Sequence, residues 1–194
     1  MGRPLPGVEI RFADAQTGRA LPDGEPGEIE IRGPNVFKGY WRMPEKTAAE
    51  FRADGFFRSG DVGLVDADGY LHIVGRAKDL IITGGYNVYP REIEDEIGQI
   101  PGIAESAVVG LPDADFGESV AAVVIRSTPS QVTAGQVRAA LETRLARYKL
   151  PKRIVFARSL PRNAMGKVQK NLIREALASP APCATLDLEE EVKS

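Results

Sequence analysis

Two unlike halves of the chain meet in the segment Gly75-Arg-Ala-Lys-Asp-Leu-Ile-Ile-Thr-Gly-Gly-Tyr-Asn-Val-Tyr-Pro-Arg-Glu-Ile-Glu94. It leaves a predicted β-hairpin, passes a charged pair, Lys78-Asp79, and continues through an apolar trio to a Gly84-Gly85 turn. A helix that begins at Pro90 follows. The residues before this stretch are typical of strands and loops, and those after it are typical of a small α/β unit. A segment that joins two unlike halves is a candidate hinge.

Upstream of this stretch, short alternating segments predict β-strands separated by turns rich in glycine and proline. Val8-Glu-Ile-Arg-Phe12 and Glu28-Ile-Glu-Ile-Arg32 alternate apolar and polar side chains, as half-buried strands do. Asp66-Ala-Asp-Gly69 favours a hairpin turn between two further strands. Residues 1–76 are therefore expected to form a small β-barrel-like subdomain, although a meander would also fit the pattern.

Downstream, helix and strand patterns alternate around a short central sheet. Ile93, Ile97 and Ile100 form one apolar stripe of a helix. The nearly all-apolar segment 119–126 is predicted to be a central strand, and Thr133 with Gln136 predicts a capping box. The expected fold class is α+β, with a C-terminal α/β domain at 77–178 that has a short central sheet and flanking helices. Residues 179–194 are expected to be a flexible acidic tail.

Composition argues against several classes of function. The net charge of −2 gives no electrostatic reason to expect nucleic acid or an anionic membrane surface as a partner. No apolar run approaches the roughly 18 residues that a membrane span needs. The single Cys183 and the single His72 leave no internal disulfide and no zinc triad. We expect a cytoplasmic location, and the loop-like start at Gly2-Arg-Pro-Leu-Pro-Gly7 suggests a piece of a longer protein.

Three polar residues could bind a nucleotide, although each also has a purely structural interpretation. Asp61 lies between Gly60 and a strand, where its carboxylate could accept hydrogen bonds from a ribose diol or cap a turn. Arg76 lies just past a strand and could reach a ligand or form a surface ion pair. Lys167 follows a glycine on a polar loop and could approach developing anionic oxygens or remain solvated. It is not a Walker A lysine, because no Ser or Thr follows it.

Several motifs occur in a fixed order, and together they are far more specific than any one of them. They are Gly27-Glu-Ile-Glu-Ile-Arg-Gly-Pro34 with Gly39-Tyr-Trp41, Phe57-Arg-Ser-Gly-Asp61, Gly69-Tyr-Leu-His-Ile-Val-Gly-Arg76, the stretch 75–94, and Leu160-Pro-Arg-Asn-Ala-Met-Gly-Lys-Val-Gln-Lys170. Over about residues 3 to 177 the chain resembles the C-terminal part of the adenylate-forming enzymes, which include acyl-CoA synthetases, nonribosomal-peptide adenylation domains and luciferases. Within this superfamily, the sequence is most similar to malonyl-CoA synthetases. The similarity lies in the segments Phe37-Lys-Gly-Tyr-Trp-Arg-Met-Pro-Glu-Lys46, Ile82-Thr-Gly-Gly-Tyr-Asn-Val-Tyr-Pro90 and Pro161-Arg-Asn-Ala-Met-Gly-Lys-Val-Gln-Lys-Asn171.

The resemblance implies a role for each candidate residue. Asp61 would bind the ribose hydroxyls of ATP, and Arg76 would support the same sugar. Lys167 would be the catalytic residue that orients the carboxylate and the α-phosphate during adenylation. Lys78 would be the hinge about which a mobile C-terminal domain rotates. The residues along the CoA (pantetheine) tunnel would be Gly84, Gly85 and Tyr86.

The resemblance also implies a reaction, its cofactors and its partners. A small carboxylic acid and ATP would give an acyl-adenylate, and coenzyme A would then give the thioester and AMP. Residues 1–76 would be the last subdomain of a large N-terminal region. The missing part of that region would supply Mg²⁺, and without it the chain would be inactive. Two alternatives are an adenylation domain that serves a carrier protein and a regulatory module acylated at Lys167. A protein lysine acetyltransferase or deacetylase would then be a partner.

Overall fold

The computed structural model describes residues 2–14, 17–22, 24–178 and 186–188. The chain divides into two compact units, 1–78 and 79–194, which we call the first and the second unit. Each unit has its own sheet. The predicted α+β class is confirmed.

The first unit is built on an antiparallel sheet of four strands in the order β1-β2-β3-β4. It also has a short helix, α1, and a 3₁₀ turn at Ala77–Asp79 spans the boundary with the second unit. The bounds are Glu9–Ala13 for β1, Gly27–Arg32 for β2, Pro44–Glu50 for α1, Phe57–Val65 for β3 and Leu71–Arg76 for β4.

The expected barrel is corrected to an open sheet. Within the described residues, β1 and β4 are the two edges of the sheet and do not pair with each other. Four strands are too few for closure, since even small barrels have about five or more. The meander that the sequence also allowed is the arrangement observed.

Strand β2 differs from its sequence pattern, because its polar face is buried. Glu30 is fully buried and accepts hydrogen bonds of 2.7 Å from Nε of Arg11 and of 2.7 Å from Nε of Arg52. Glu28 is also buried and accepts a hydrogen bond of 2.9 Å from Nη2 of Arg58. The alternation predicted a half-buried strand, but arginines from neighbouring segments cover the polar side and neutralise both carboxylates.

Replacement of Glu30 by glutamine is expected to lower the free energy of unfolding of the first unit by about 1.5–3 kcal/mol. The amide has one acceptor oxygen and no charge, so it can keep only one of the two guanidinium contacts, and neither contact is then an ion pair. Native-state hydrogen exchange of the β2 amides measures the loss. The control is Glu9→Gln, whose ion pair with Arg32 is exposed and screened by water, so its loss should change the stability much less. Equal effects of the two substitutions would contradict the importance of the buried network.

The second unit is a five-stranded sheet with helices on both faces. Strand β8 is central, as predicted, because it pairs with β7, with β5 at one end and with β9 in parallel, while β6 lies at the edge beside β5. The strands are Ile81–Thr83 (β5), Tyr86–Val88 (β6), Ile103–Asp113 (β7), Gly117–Arg126 (β8) and Arg153–Phe156 (β9). The helices are Pro90–Gly98 (α2), Ala134–Glu142 (α3) and Lys170–Ala178 (α4).

The apolar composition of β8 follows from burial on both faces. Val120 and Val124 pack in one core with Ile93 of α2 and Leu141 of α3. Val123 packs on the opposite face in a second core, which includes the α4 residues Ile173 and Leu177. The predicted capping box of α3 is confirmed by reciprocal hydrogen bonds between Thr133 and Gln136.

The predicted flexible tail is described only at residues 186–188, and the remaining positions of 179–194 lie outside the described residues. Leu186 is 5% exposed and packs in the core beneath α4, while Leu188 forms an antiparallel bridge with Ala157 after β9. Burial of the leucine side chain accounts for this attachment.

Candidate active site

Strand pairing brings Asp61 and Arg76 together in the first unit. They are opposite residues on β3 and β4, and Nε of Arg76 lies 2.8 Å from Oδ1 of Asp61. The arginine side chain is 54% exposed and that of the aspartate 24%, so both polar ends are accessible. The surface ion pair considered for Arg76 is therefore present. The carboxylate of Asp61 can still accept further hydrogen bonds, such as those that the hydroxyls of a diol donate.

Lys167 lies on a fixed turn in the second unit. The segment 161–169, here called the lysine loop, lies between β9 and α4 and directly precedes α4. Oδ1 of Asn163 accepts hydrogen bonds of 3.0 Å from the backbone N–H of Met165 and of 3.0 Å from that of Lys167. Gly166 has φ of +77°, a left-handed conformation that favours glycine. The turn is thus held through the backbone, while the lysine side chain is exposed.

Arg162 anchors the lysine loop to the sheet. Its Nη1 donates to the carbonyl of Gly166 at 2.6 Å, and its Nη2 forms an ion pair with Glu105 of β7. An antiparallel bridge between Arg162 and Val168 closes the base of the loop. Asn163 and Arg162 were missed as functional residues in the sequence. The available signal was an asparagine three residues before a glycine, a pattern typical of turns stabilised by side-chain oxygens.

Gly84, Gly85 and Tyr86 form the tip of the β5–β6 hairpin. Both glycines have positive φ, +56° and +82°, as a two-residue hairpin turn requires. The backbone N–H of Gly84 donates to the carbonyl of Phe116 at 2.9 Å, and a Cβ on Gly84 would approach that ring to 3.2 Å. The turn alone therefore explains the two glycines. The turn does not explain Tyr86, whose side chain is 59% exposed.

A groove of about 770 Å³ lies in the second unit beside this hairpin. The rings of Tyr86 and Tyr148 stack along it with centroids 4.7 Å apart. Nζ of Lys152 donates to Asp113 at 2.7 Å, and this contact holds the pKa of Asp113 below its ordinary value. We call this site the aromatic groove. Its aromatic and cationic lining consists of Tyr86, Phe116, Tyr148, Arg138, Arg147 and Lys152.

Lys78 is exposed and is the last residue of the first unit. It occupies the 3₁₀ turn Ala77–Asp79, and the boundary between the units follows it. The candidate residues thus fall into separate groups. Asp61 and Arg76 are directly paired, the hairpin tip adjoins the aromatic groove, and Lys167 has its own loop.

Two family models match this chain. One, described as AMP-binding enzyme, matches residues 1–41, and the other, described as AMP-binding enzyme C-terminal domain, matches residues 92–167. The chain belongs to the AMP-binding enzymes. The resemblance stated from the motifs is confirmed at this level.

Similar proteins include several CoA ligases. A feruloyl-CoA synthase from Amycolatopsis sp is 47% identical over 172 residues, which are 87% of this chain and 35% of that protein. The ATP-bound MatB structure from Rhodopseudomonas palustris has a TM-score of 0.85 and 57% identity, covering 92% of this chain and 36% of that chain. The amide bond synthetase McbA from Marinactinospora thermotolerans has a TM-score of 0.84 and 40% identity, with 92% and 36% covered. The chain therefore spans about a third of the length of these relatives.

In the described part of the chain, none of the helices is both long and apolar enough to cross a membrane.

Proposed function

We propose that this chain is the C-terminal part of an ATP-dependent acid–CoA ligase. In the whole enzyme, a carboxylate would attack the α-phosphorus of ATP to form an acyl-adenylate and release pyrophosphate. The thiol of coenzyme A would then displace AMP to give the thioester. The observation that carries the proposal is the lysine loop, a turn built on Asn163 that holds an exposed ammonium group in a chain of this family.

The adenylation step needs positive charge where negative charge develops. As the carboxylate oxygen approaches the α-phosphate, charge accumulates on the phosphate oxygens, and a positioned ammonium group stabilises it. Lys167 supplies that group. Because Asn163 holds only backbone atoms of the loop, the lysine side chain remains able to extend toward a nucleotide.

Asp61 and Arg76 are proposed to bind the ribose of ATP. The carboxylate would accept hydrogen bonds from the two hydroxyls, and the guanidinium group would keep the carboxylate oriented through the 2.8 Å contact. Mg²⁺ is assigned to the region that precedes this chain in its relatives. Within the described residues, no group of three acidic, histidine or cysteine side chains could hold a metal ion.

Coenzyme A is proposed to pass the hairpin tip at Gly84, Gly85 and Tyr86 and to place its nucleotide end in the aromatic groove. Stacked tyrosines offer a flat apolar surface for an adenine ring. The exposed Arg147 supplies positive charge for phosphates. The volume of about 770 Å³ is in the range of sites that bind small molecules.

Replacement of Tyr148 by alanine is expected to raise the KM for coenzyme A about tenfold in the whole enzyme, because a stacking surface is lost. The rate of adenylate formation, which does not involve coenzyme A, should be unchanged. Steady-state kinetics with varied coenzyme A measures the effect, and Tyr148→Phe, which keeps the ring, is the control. An unchanged KM for the alanine variant would show that the nucleotide end of coenzyme A does not bind in the aromatic groove.

Malonate is proposed as the acid, supported by the 57% identity to MatB, a malonyl-CoA synthetase. Whole enzyme containing residues 1–194 should form a thioester with malonate in preference to ferulate or a long-chain fatty acid. Chain 1–194 alone should form no acyl-adenylate, since it spans only about a third of the relatives. Preference for another acid would refute only the proposal that malonate is the substrate. Thioester formation by the isolated chain would refute the proposal that it is an incomplete part of the ligase.

Lys167 is also proposed as an acylation site. It is exposed on a turn that an acetyltransferase could approach, and a deacetylase would reverse the change. Mass spectrometry of chain 1–194 after treatment with an acyl donor and such an enzyme would test this, with Lys167→Ala as control.

A further inference from the structure

An ion pair joins the first residue of the second unit to the last helix. Nη2 of Arg174 on α4 lies 2.8 Å from Oδ1 of Asp79, although the two residues are 95 positions apart. The side chains are 33% and 16% exposed, so water screens this pair less than the exposed pairs of the surface. Asp79 follows directly on Lys78, which is the last residue of the first unit.

Helix α4 is firmly attached to the body of the second unit. Ile173 is fully buried in the core on one face of the sheet. At the start of the helix, Nζ of Lys170 lies 2.7 Å from Oε1 of Glu94, and the same oxygen accepts a 2.8 Å hydrogen bond from the backbone N–H of Val108. The helix therefore cannot shift without disturbing α2 and β7. Asp79, through Arg174, is attached to this rigid body.

The same helix follows directly on the lysine loop, because α4 begins at Lys170, three residues after Lys167. Arg174 is one helical turn further along, on the same rigid element. Rotation of the second unit that leaves the Arg174–Asp79 pair intact must therefore use backbone angles before Asp79, and it must carry the lysine loop with it.

We propose that Arg174 is a positioning residue that confines the pivot to Lys78 and makes α4 transmit its rotation to Lys167. This inference rests on the proposed function, in which the second unit takes two poses. Loss of Arg174 would release Asp79, so that the bend would spread over several residues and the lysine loop would no longer be brought to one defined position. Both half-reactions would then be slower, because Lys167 and the second unit would be positioned less accurately.

Proteolysis of chain 1–194 tests the attachment without any need for ligase activity. A protease that cleaves after lysine should cut at Lys78 about tenfold faster in Arg174→Ala than in the unsubstituted chain, because local opening exposes the bond. Arg174→Lys, which keeps the charge, should restore much of the protection. The control is Arg144→Ala, which removes a similar ion pair with Glu96 elsewhere in the second unit and should leave cleavage at Lys78 unchanged. Equal cleavage in all four chains would overturn the inference.

Half-reaction rates of the whole enzyme test the positioning role. Arg174→Ala should slow adenylation and thioester formation by similar factors of about ten, since misplacement affects both poses. Asp79→Asn should have a similar effect, and the double variant should be no slower than either single variant, because both remove one contact. Additive losses, or losses matched by Arg144→Ala, would overturn the role. An unsubstituted enzyme that makes no adenylate would instead refute the proposed function, and the protection of Lys78 would still be measurable.

Discussion

Replacement of Lys167 by alanine is expected to slow acyl-adenylate formation in the whole enzyme about 100- to 1000-fold, the usual loss when one preorganised charge-stabilising group is removed. The turn itself should survive, because Asn163 binds the backbone N–H groups of Met165 and of residue 167 rather than the lysine side chain. The loss would therefore report the missing ammonium group. Release of pyrophosphate in a single turnover measures it.

Two controls test whether the loss is specific to adenylation and to the ammonium group of Lys167. Thioester formation from preformed acyl-adenylate should change less than about threefold, since the ammonium group stabilises charge only in the first step. Met165→Ala alters another exposed side chain of the same loop and should leave both steps intact. A comparable loss in both half-reactions of Lys167→Ala would contradict the assignment.

Replacement of Lys78 by proline is expected to slow thioester formation at least about tenfold more than adenylation. Proline fixes φ near −65° and removes the backbone N–H, so a residue that must change its backbone angles between two poses would be held in one of them. The exposed position of Lys78 at the unit boundary allows the substitution without loss of core packing.

The control for this prediction is Lys78→Ala, which removes the charge but keeps backbone freedom. It should leave the ratio of the two half-reaction rates unchanged. The two rates are measured separately, by pyrophosphate release with ATP and acid and by thioester formation from preformed acyl-adenylate. Equal slowing of both steps in the proline variant would contradict a hinge at this residue.

Local patterns in the sequence were sufficient to predict much of the fold. The nearly all-apolar segment 119–126 predicted a central strand, and burial of alternate residues in two separate cores shows why. The capping box of Thr133 and Gln136 depends only on neighbours in sequence, so it could be recognised without tertiary information.

Features that depend on distant partners could not be predicted in this way. The alternation of β2 suggested a solvated polar face, yet Glu30 is buried because Arg11 and Arg52 reach it from other segments. The link between Asp79 and Arg174 spans 95 positions and leaves no local signal. Asn163 was overlooked because its side chain bonds the backbone N–H groups of Met165 and Lys167, a contact that appears only once the loop is folded.

The nucleotide that the whole enzyme releases reports whether the acid is activated through an acyl-adenylate. The enzyme that contains residues 1–194 is incubated with ATP, malonate and coenzyme A, and the nucleotides are separated and quantified against the thioester. Activation through an acyl-adenylate predicts AMP and pyrophosphate in equal amounts to the thioester. Formation of ADP and inorganic phosphate with the thioester would contradict it.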